Sequence, residues 1–407
     1  MTEGYDLIII GGGPAGLSAA IYGGRARLRT LVLEKGAIGG RAQTTREIVN
    51  YPGYTTTTGP KLTDDMRDHA EQFGAMIRTE KVNSLELEGT VKTVRTRRHT
   101  YEAPAVIIAT GTESRVLGIP GERELTGQGV AYCATCDAEF FQDQHVVVVG
   151  SGDQGIEESM YIAKYASKVT IVVLHEEGIL DCNKQAAEKA FAHPKLHFIW
   201  NSVVDRVNGE EEVTSVTVKN LKTGQLTELS CGGIFFFVGL IPSTAFLGDA
   251  LPKTKTGYLI TNDMMETSVE GVYAVGDVRD KYLRQVSTAV GDGAIAATAA
   301  ERYIEELRDF EERVVKNPKP VLLALWNPEY QEGLSRISGL ATENETAGSP
   351  CSYYEIDVSR KKALARQYHI TLSQDHPAEV LLLEQGRKVK TIRPGILLTD
   401  QIKEEEE

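Results

Sequence analysis

The chain has 407 residues, 41% of them hydrophobic, and 44 Lys and Arg stand against 57 Asp and Glu for a formal net charge of −13. That length suffices for three domains of ordinary size, and the acidic balance argues against nucleic acid as a general partner. No run approaches the ~18 consecutive apolar residues of a membrane span, and five cysteines with one close pair suit a reducing, cytoplasmic setting.

Residues Met1–Asp6 lead straight into an apolar strand, which leaves no room for a signal peptide. Leu7-Ile8-Ile9-Ile10 then runs into the turn Gly11-Gly12-Gly13-Pro14-Ala15-Gly16 and helical spacing over Leu17–Gly24. Glycines at 11, 13 and 16 serve a tight turn, approach to a pyrophosphate, and close helix–strand packing. The helix start offers N–H groups and partial positive charge to phosphates. A second strand, Thr30–Leu33, ends at Glu34, where an acid can bind a ribose hydroxyl. Between Glu80 and Val106 the alternation of Thr93-Val94-Arg95-Thr96 predicts a small antiparallel flap. Ala105–Ile108 is a further buried strand, ending in the small-residue turn Ala109-Thr110-Gly111.

Breakers at Ile119-Pro120-Gly121 and Gly239-Leu240-Ile241-Pro242 bracket an inserted domain, about 117–244, inside a domain made of 1–116 and 245–312. Within the insert stands Cys133-Ala134-Thr135-Cys136-Asp137. Two thiols at that spacing can close a small disulfide ring and exchange electrons as a pair, and the neighbouring acid can protonate a departing thiolate. Half a zinc site is the alternative, but Cys182, Cys231 and Cys351 stand apart with no second pair, so no metal is expected. A second strand–turn–helix follows: Val146–Val149, then Gly150-Ser151-Gly152-Asp153-Gln154-Gly155, a helix over Ile156–Lys164 and a strand over Val169–Leu174. Val203–Ser230 predicts a second flap, with Thr214–Lys219 as a strand. Gly271–Val275 ends in Gly276-Asp277, followed by Arg284-Gln285-Val286 and an alanine-rich helix, Asp292–Arg308.

Glu311–Pro320 reads as a charged linker. Beyond it come a strand (Pro320–Trp326), another (Glu355–Val358), a helix (Arg360–Tyr368), and a hairpin in which Val389–Ile392 returns on Glu379–Gly386. The Glu404–Glu407 tail is expected to be disordered.

From about residue 4 to 308, these fingerprints and the Cys133–Asp137 stretch resemble the low-molecular-weight thioredoxin reductases. The resemblance implies an α/β fold of two Rossmann-like three-layer domains, one inserted in the other. It also implies an FAD-dependent enzyme that reduces a protein disulfide, thioredoxin, as a homodimer. Gly11, Gly13, Pro14, Ala15, Gly16, Glu34, Ala109, Thr110, Gly111 and Gly276 are then flavin-binding, with Gly39, Gly40, Gln43 and Asn50 as further contacts. Asp277 would touch the ribityl chain, Arg284 and Gln285 would lie against the ring, and Val286 would be a further cofactor contact. By the same resemblance Cys136 meets the isoalloxazine, Cys133 attacks the substrate disulfide, Asp137 is the acid, and the inserted domain swivels.

Residues 318–403 resemble a thioredoxin domain in order and spacing, but its thiol positions fall near Tyr330 and Gly333. Cys351 is a lone thiol, and Pro377 stands where thioredoxins keep a cis-proline. The domain reads as a docking or dimer-supporting module, or as a relic.

The second glycine unit departs from the family. Where NADPH-dependent members carry arginines, this chain has His175-Glu176-Glu177 and Asp181. A phosphate near one carboxylate at ~5 Å and an effective dielectric of ~20 meets roughly +3 kcal/mol per charge pair. NADPH in the usual pose is therefore disfavoured, and Gly150, Gly152 and Gly155 with these acids form a degenerate nucleotide site. The leading expectation is electron supply by ferredoxin, docked on Arg25, Arg27 and Arg29 or on Arg95, Arg97 and Arg98. Alternatives are NADH held by Glu176, NADPH in an unusual pose, a dithiol oxidase discharging to oxygen, and a non-catalytic flavoprotein scaffold.

Overall fold

The computed structural model describes residues 2–392, apart from 46, 47, 49, 331, 347, 349 and 350. The Glu404–Glu407 tail and the end of the 318–403 segment therefore lie outside the described residues.

Leu7–Ile10 is the central strand of a five-stranded parallel sheet in the order Val272–Ala274, Ala105–Ile108, Leu7–Ile10, Thr30–Glu34, Met76–Thr79. Side chains alternate across a strand, and here both faces are buried. Leu7 and Ile9 pack under the helices Pro14–Arg25 and Val286–Phe310, while Ile8 and Ile10 meet Val94 and Tyr101 of the flap. That flap is four-stranded, ordered Thr2–Gly4, Thr100–Ala103, Lys92–Thr96, Val82–Glu86. Helices, parallel sheet and flap make three layers.

The inserted segment repeats the plan. Its parallel sheet runs Val130–Ala131, Gly233–Phe236, His145–Val149, Lys168–Val172, Leu196–Ile199. Val146 and Val148 face the helix side, and Val147 and Val149 face the sheet Ser202–Asn208, Ser215–Asn220, Leu226–Ser230. The chain leaves the first unit and returns to it through a two-stranded antiparallel pairing of Thr112–Ser114 with Leu240–Pro242.

The C-terminal sheet is ordered Ser352–Asp357, Val321–Trp326, Ala378–Glu384, Arg387–Ile392; the first pair is parallel and the others antiparallel. Helix Glu332–Thr346, which the sequence reading lacks, covers one face through Ile337 and Leu340. The other face takes Leu364 of helix Lys362–Gln367 together with Phe310 and Val314. The linker expectation is thus corrected. Glu311–Val315 continues the long helix as a wide π-type turn, and Val314 is fully buried against the C-terminal sheet. Apolar residues among the charges were the signal. Pro377 is also corrected: the described residues contain no cis peptide bond. Its carbonyl instead abuts the first turn of Glu332–Thr346, 2.7 Å from where a Cβ on Gly333 would stand.

Candidate functional site

The first glycine turn is shaped by near contacts that leave no room for side chains. A Cβ on Gly16 would stand 1.9 Å from Gly11 O, and one on Gly155 would stand 2.4 Å from Gly150 O. The two turns therefore share one geometry. Gly13 starts the helix Pro14–Arg25 without any side-chain cap, so its first N–H groups face a cavity of about 480 Å³. Glu34 closes one side, its Oε2 accepting from Gly12 N–H at 2.7 Å and its Oε1 from Gly36 N–H at 2.9 Å. A second cavity, about 320 Å³, meets the first at Glu34 and Thr110 and extends past Lys35, Lys81 and Val82.

Pro14, Ala15, Gly40, Ala109, Thr110, Gly111, Gly276, Asp277, Arg284, Gln285 and Val286 also line the larger cavity. Gly39 adjoins it, donating its N–H to Gly12 O at 2.8 Å. Gln43 does not reach it. The short 3-10 turn Gly40–Thr44 aims Arg41 inward instead, where Nη1 donates to Thr112 Oγ1 at 3.1 Å. Asn50 reaches the site indirectly, its Nδ2 donating to Gln285 Oε1 at 3.1 Å. Gln285 in turn caps the long helix in a reciprocal box with Thr288. The helix therefore begins at Val286, six residues earlier than its alanine content suggests.

Asp277 is pushed above the usual carboxylate range by burial, partly offset by Lys281, Arg41 and Arg284. Its turn is held by Asp292, a buried acid that sequence reasoning missed. Asp292 Oδ2 accepts from Gly276 N–H at 3.0 Å and from Lys281 Nζ at 2.7 Å, while Oδ1 faces Arg279 Nη1 at 3.3 Å. Arg284 stacks over the Tyr258 ring at 4.1 Å, yet its buried Nε has no partner. An unmatched donor beside a phosphate-type cradle fits a flavin dinucleotide: the glycine turn would take the pyrophosphate, and Arg284, Gln285 and Asp277 the ring end.

From the inserted unit, Tyr132, Cys133, Gln154 and Glu158 enter the same cavity. Cys133 is disulfide-bonded, and Cys182, Cys231 and Cys351 are free. The side chain of Cys136 lies outside the described residues; its backbone belongs to the helical turn Ala134–Asp137, which Cys133 caps. Asp137 is half-buried, and burial raises its pKa. It opens onto a separate cleft of about 250 Å³ beside the exposed Phe140. Glu158 is a second missed carboxyl, raised by burial and by Glu157 and drawn back by Arg41.

At the second glycine turn two of the acids, Asp181 and Glu176, have partners. Asp181 accepts from Ser151 Oγ at 2.8 Å and pairs with His175 Nε2 at 2.9 Å. Glu176 pairs with Lys222 at 2.7 Å. Among the described residues no helix is long and apolar enough to cross a membrane.

Residues 5–293 match the family model described as pyridine nucleotide-disulphide oxidoreductase. The chain is 48% identical over 319 residues to the thioredoxin reductase of Peptoclostridium acidaminophilum, spanning 77% of this chain and 100% of that protein. It is 46% identical over 310 residues to that of Treponema pallidum, spanning 76% and 100%. The solved thioredoxin reductase of Lactococcus lactis, in its FR conformation, superposes with a TM-score of 0.68 at 42% identity, over 74% of this chain and 99% of that one. The C-terminal sheet lies beyond the family match.

Proposed function

We propose, because this chain belongs to the pyridine nucleotide-disulphide oxidoreductase family and within it to the thioredoxin reductases, that it reduces thioredoxin disulfide with electrons from a reduced pyridine nucleotide. The family is FAD-dependent. The observation that carries the reading is the shared cavity: disulfide-bonded Cys133 stands in the same space as Asp277, Arg284 and Gln285.

FAD, when bound, supplies two-electron transfer between a hydride donor and a disulfide. The chain's own residues do the rest. Two electrons and two protons open the Cys133–Cys136 disulfide to a dithiol. Cys133, as thiolate, attacks one sulfur of the substrate disulfide, and the other sulfur leaves as thiolate and takes a proton. Cys136 then attacks Cys133, releasing the second substrate thiol and restoring the internal disulfide. Asp137 has the raised pKa an acid in this exchange needs, and such help is typically worth roughly 10²–10⁴-fold. Because Cys133 faces inward, a protein disulfide can reach it only if the inserted unit turns, and the paired strands Thr112–Ser114 and Leu240–Pro242 are the place for a hinge.

Ferredoxin, expected as donor from the acidic stretch, is the weaker reading. Its premise was the loss of an arginine phosphate clamp to acids; the match of residues 5–293 to the pyridine nucleotide-disulphide oxidoreductase family favours a nucleotide donor instead, and Lys222 sets a cation beside Glu176. Of the basic surface it needs, Arg95 is already paired with Glu86 at 2.6 Å. The glycine geometry repeated at Gly150–Gly155 favours a nucleotide. Homodimerisation belongs to the same reading. So does a thioredoxin-like C-terminal unit, supported by its sheet order and by Gly333 beside Pro377.

Anaerobic titration of the flavin-loaded protein tests the donor. NADH or NADPH should bleach the visible flavin band rapidly, and oxidised thioredoxin should restore it. Bleaching by reduced ferredoxin alone would overturn the reading, and peroxide release from added dithiols in air would point to an oxidase.

A further inference from the structure

The chain first enters the inserted unit through residues 115–121, and one carboxylate holds that passage in shape. Glu122 is fully buried. Its Oε1 accepts from Leu117 N–H at 3.1 Å and from the Tyr132 hydroxyl at 2.8 Å. Its Oε2 accepts from Gly118 N–H at 2.6 Å and from Ile119 N–H at 3.3 Å. Gly118, at a φ of +76°, turns the backbone so that three consecutive N–H groups converge on one anion. Four donors fill the acceptor sites of a carboxylate. All four are uncharged, so the buried anion depends on every one of them.

The two sides of the passage are fixed separately. Upstream, Arg115 N–H donates to Gly239 O at 3.0 Å, where the paired strands Thr112–Ser114 and Leu240–Pro242 end. Downstream, Val207 N–H donates to Pro120 O at 2.9 Å, and a Cβ on Gly121 would stand 2.0 Å from Val207 O. The turn that Glu122 grips is thus seated on the inserted unit's own flap. Val116 is the one residue between Arg115 and Leu117, and so between the two grips.

Tyr132 carries the tie from that turn to the redox disulfide. It directly precedes Cys133, its ring lies tilted against Phe236 at 5.8 Å, and both Tyr132 and Cys133 line the flavin cavity. Burial and the bond to Glu122 hold the Tyr132 hydroxyl protonated, so it stays a donor.

We propose that Glu122 is a positioning residue for the Cys133 disulfide: through the Tyr132 hydroxyl it keeps Cys133 turned into the flavin cavity, and by gripping residues 117–119 it makes the passage and the disulfide one piece. This rests on the dithiol reading above and adds a residue to it. When the inserted unit turns, Cys133 moves with it and does not swing free on its own backbone.

Alkylation of the flavin-loaded protein by iodoacetamide, after anaerobic reduction with dithiothreitol and removal of the excess, reads the placement of Cys133 with neither nucleotide nor thioredoxin present. Peptide mass mapping separates the cysteines. Tyr132→Phe removes one hydroxyl and leaves the ring on Phe236. Cys133 should then react about tenfold faster than in the native chain, the factor that one hydrogen bond to a charged group sets. The buried Cys231 should keep its native rate. Glu122→Gln should act in the same direction, and the double variant should be no faster than the faster single one, because both changes break the same bond. A native Cys133 rate in Tyr132→Phe would overturn the proposal, as would rates that multiply in the double variant. So would a general loosening, in which Cys231 speeds up as much as Cys133 and the melting midpoint falls. If reduction of the native chain frees no thiol at Cys133, the dithiol reading fails and takes this proposal with it.

Discussion

Ala363 donates its backbone N–H to Glu270 Oε2 at 2.9 Å, joining the C-terminal unit to the turn just before strand Val272–Ala274. Gly276 and Asp277, which line the flavin cavity, come just after that strand. Three residues of strand span about 10 Å, so the C-terminal unit is fastened at one end of this strand and the flavin site opens at the other. Other contacts agree. Lys361 pairs with Glu306, Tyr354 donates to Asp309 Oδ2 at 2.9 Å, and Arg366 pairs with Glu88 at 3.1 Å. A unit held there, whose one cysteine among the described residues is the buried, free Cys351, has no thiol pair with which to relay electrons to Cys133. Docking or support is what its position allows.

Phe310 is the apolar centre of that attachment, buried to 4% exposure and edge-on to Tyr354 and Tyr368 at 5.8 and 6.3 Å. Phe310→Ala should cost about 3–5 kcal/mol. Thermal melts should show a lower midpoint, and limited proteolysis should cut within 311–320, while dithiol turnover at 25 °C holds. A turnover loss as large as the stability loss would mean the unit does more than dock.

Lys92 lies under the same junction, fully buried, with Nζ on Gly89 O at 2.5 Å and 5.7 Å from the Tyr303 ring centroid. Burial pulls its pKa down to about 8 from 10.5, with Glu270 pulling the other way. The folded chain thus releases this proton at lower pH than the unfolded chain. Stability from this group is present above 10.5 and is lost as pH falls through about 8, at roughly 1.4 kcal/mol per pH unit inside that window. Lys361, lowered by the same burial, acts in the same direction. Lys92→Met should remove the slope. The native-minus-variant difference in melting temperature should climb from pH 8 to 10, and a flat difference would count against the buried charge.

Much of this architecture was legible because it is written locally. Strand, glycine turn and helix sit within twenty residues, and the continuous apolar runs Leu7–Ile10 and Val146–Val149 are what a parallel strand buried on both faces requires. What escaped was written across distance. Asp292 lies 16 residues past Gly276, and Lys222 lies 46 past Glu176. Counting charges near Glu176 along the chain therefore missed the cation that the fold sets beside it. Arg41 was missed for another reason: in the tight turn Gly40–Thr44 neither helical nor strand periodicity says which side chain faces in.

Asp292 yields a direct test. It is 7% exposed and balanced by Lys281 and Arg279, and removing one partner of a buried ion pair typically costs about 3–5 kcal/mol. Asp292→Asn should unseat the Gly276–Asp277 turn. The purified variant should lose flavin on gel filtration under conditions where the native chain stays yellow. Full flavin retention with a native melt would show that the turn holds without it.

Asp137 decides how the thiols are handled. Its raised pKa comes from burial alone, so the proton is held further into the working range than an exposed aspartate would hold it. An acid of that kind is competent below its pKa and fails above it, which predicts thioredoxin reduction falling as pH rises through that point. Asp137→Asn should lower turnover by about 10²–10⁴-fold and abolish that alkaline fall. Nucleotide-driven bleaching of the flavin should be spared, because Asp137 opens onto the outer cleft with Phe140 and not onto the flavin cavity. If bleaching slows in step with turnover, the acid works on the inner exchange instead, and its assignment to the substrate side is wrong.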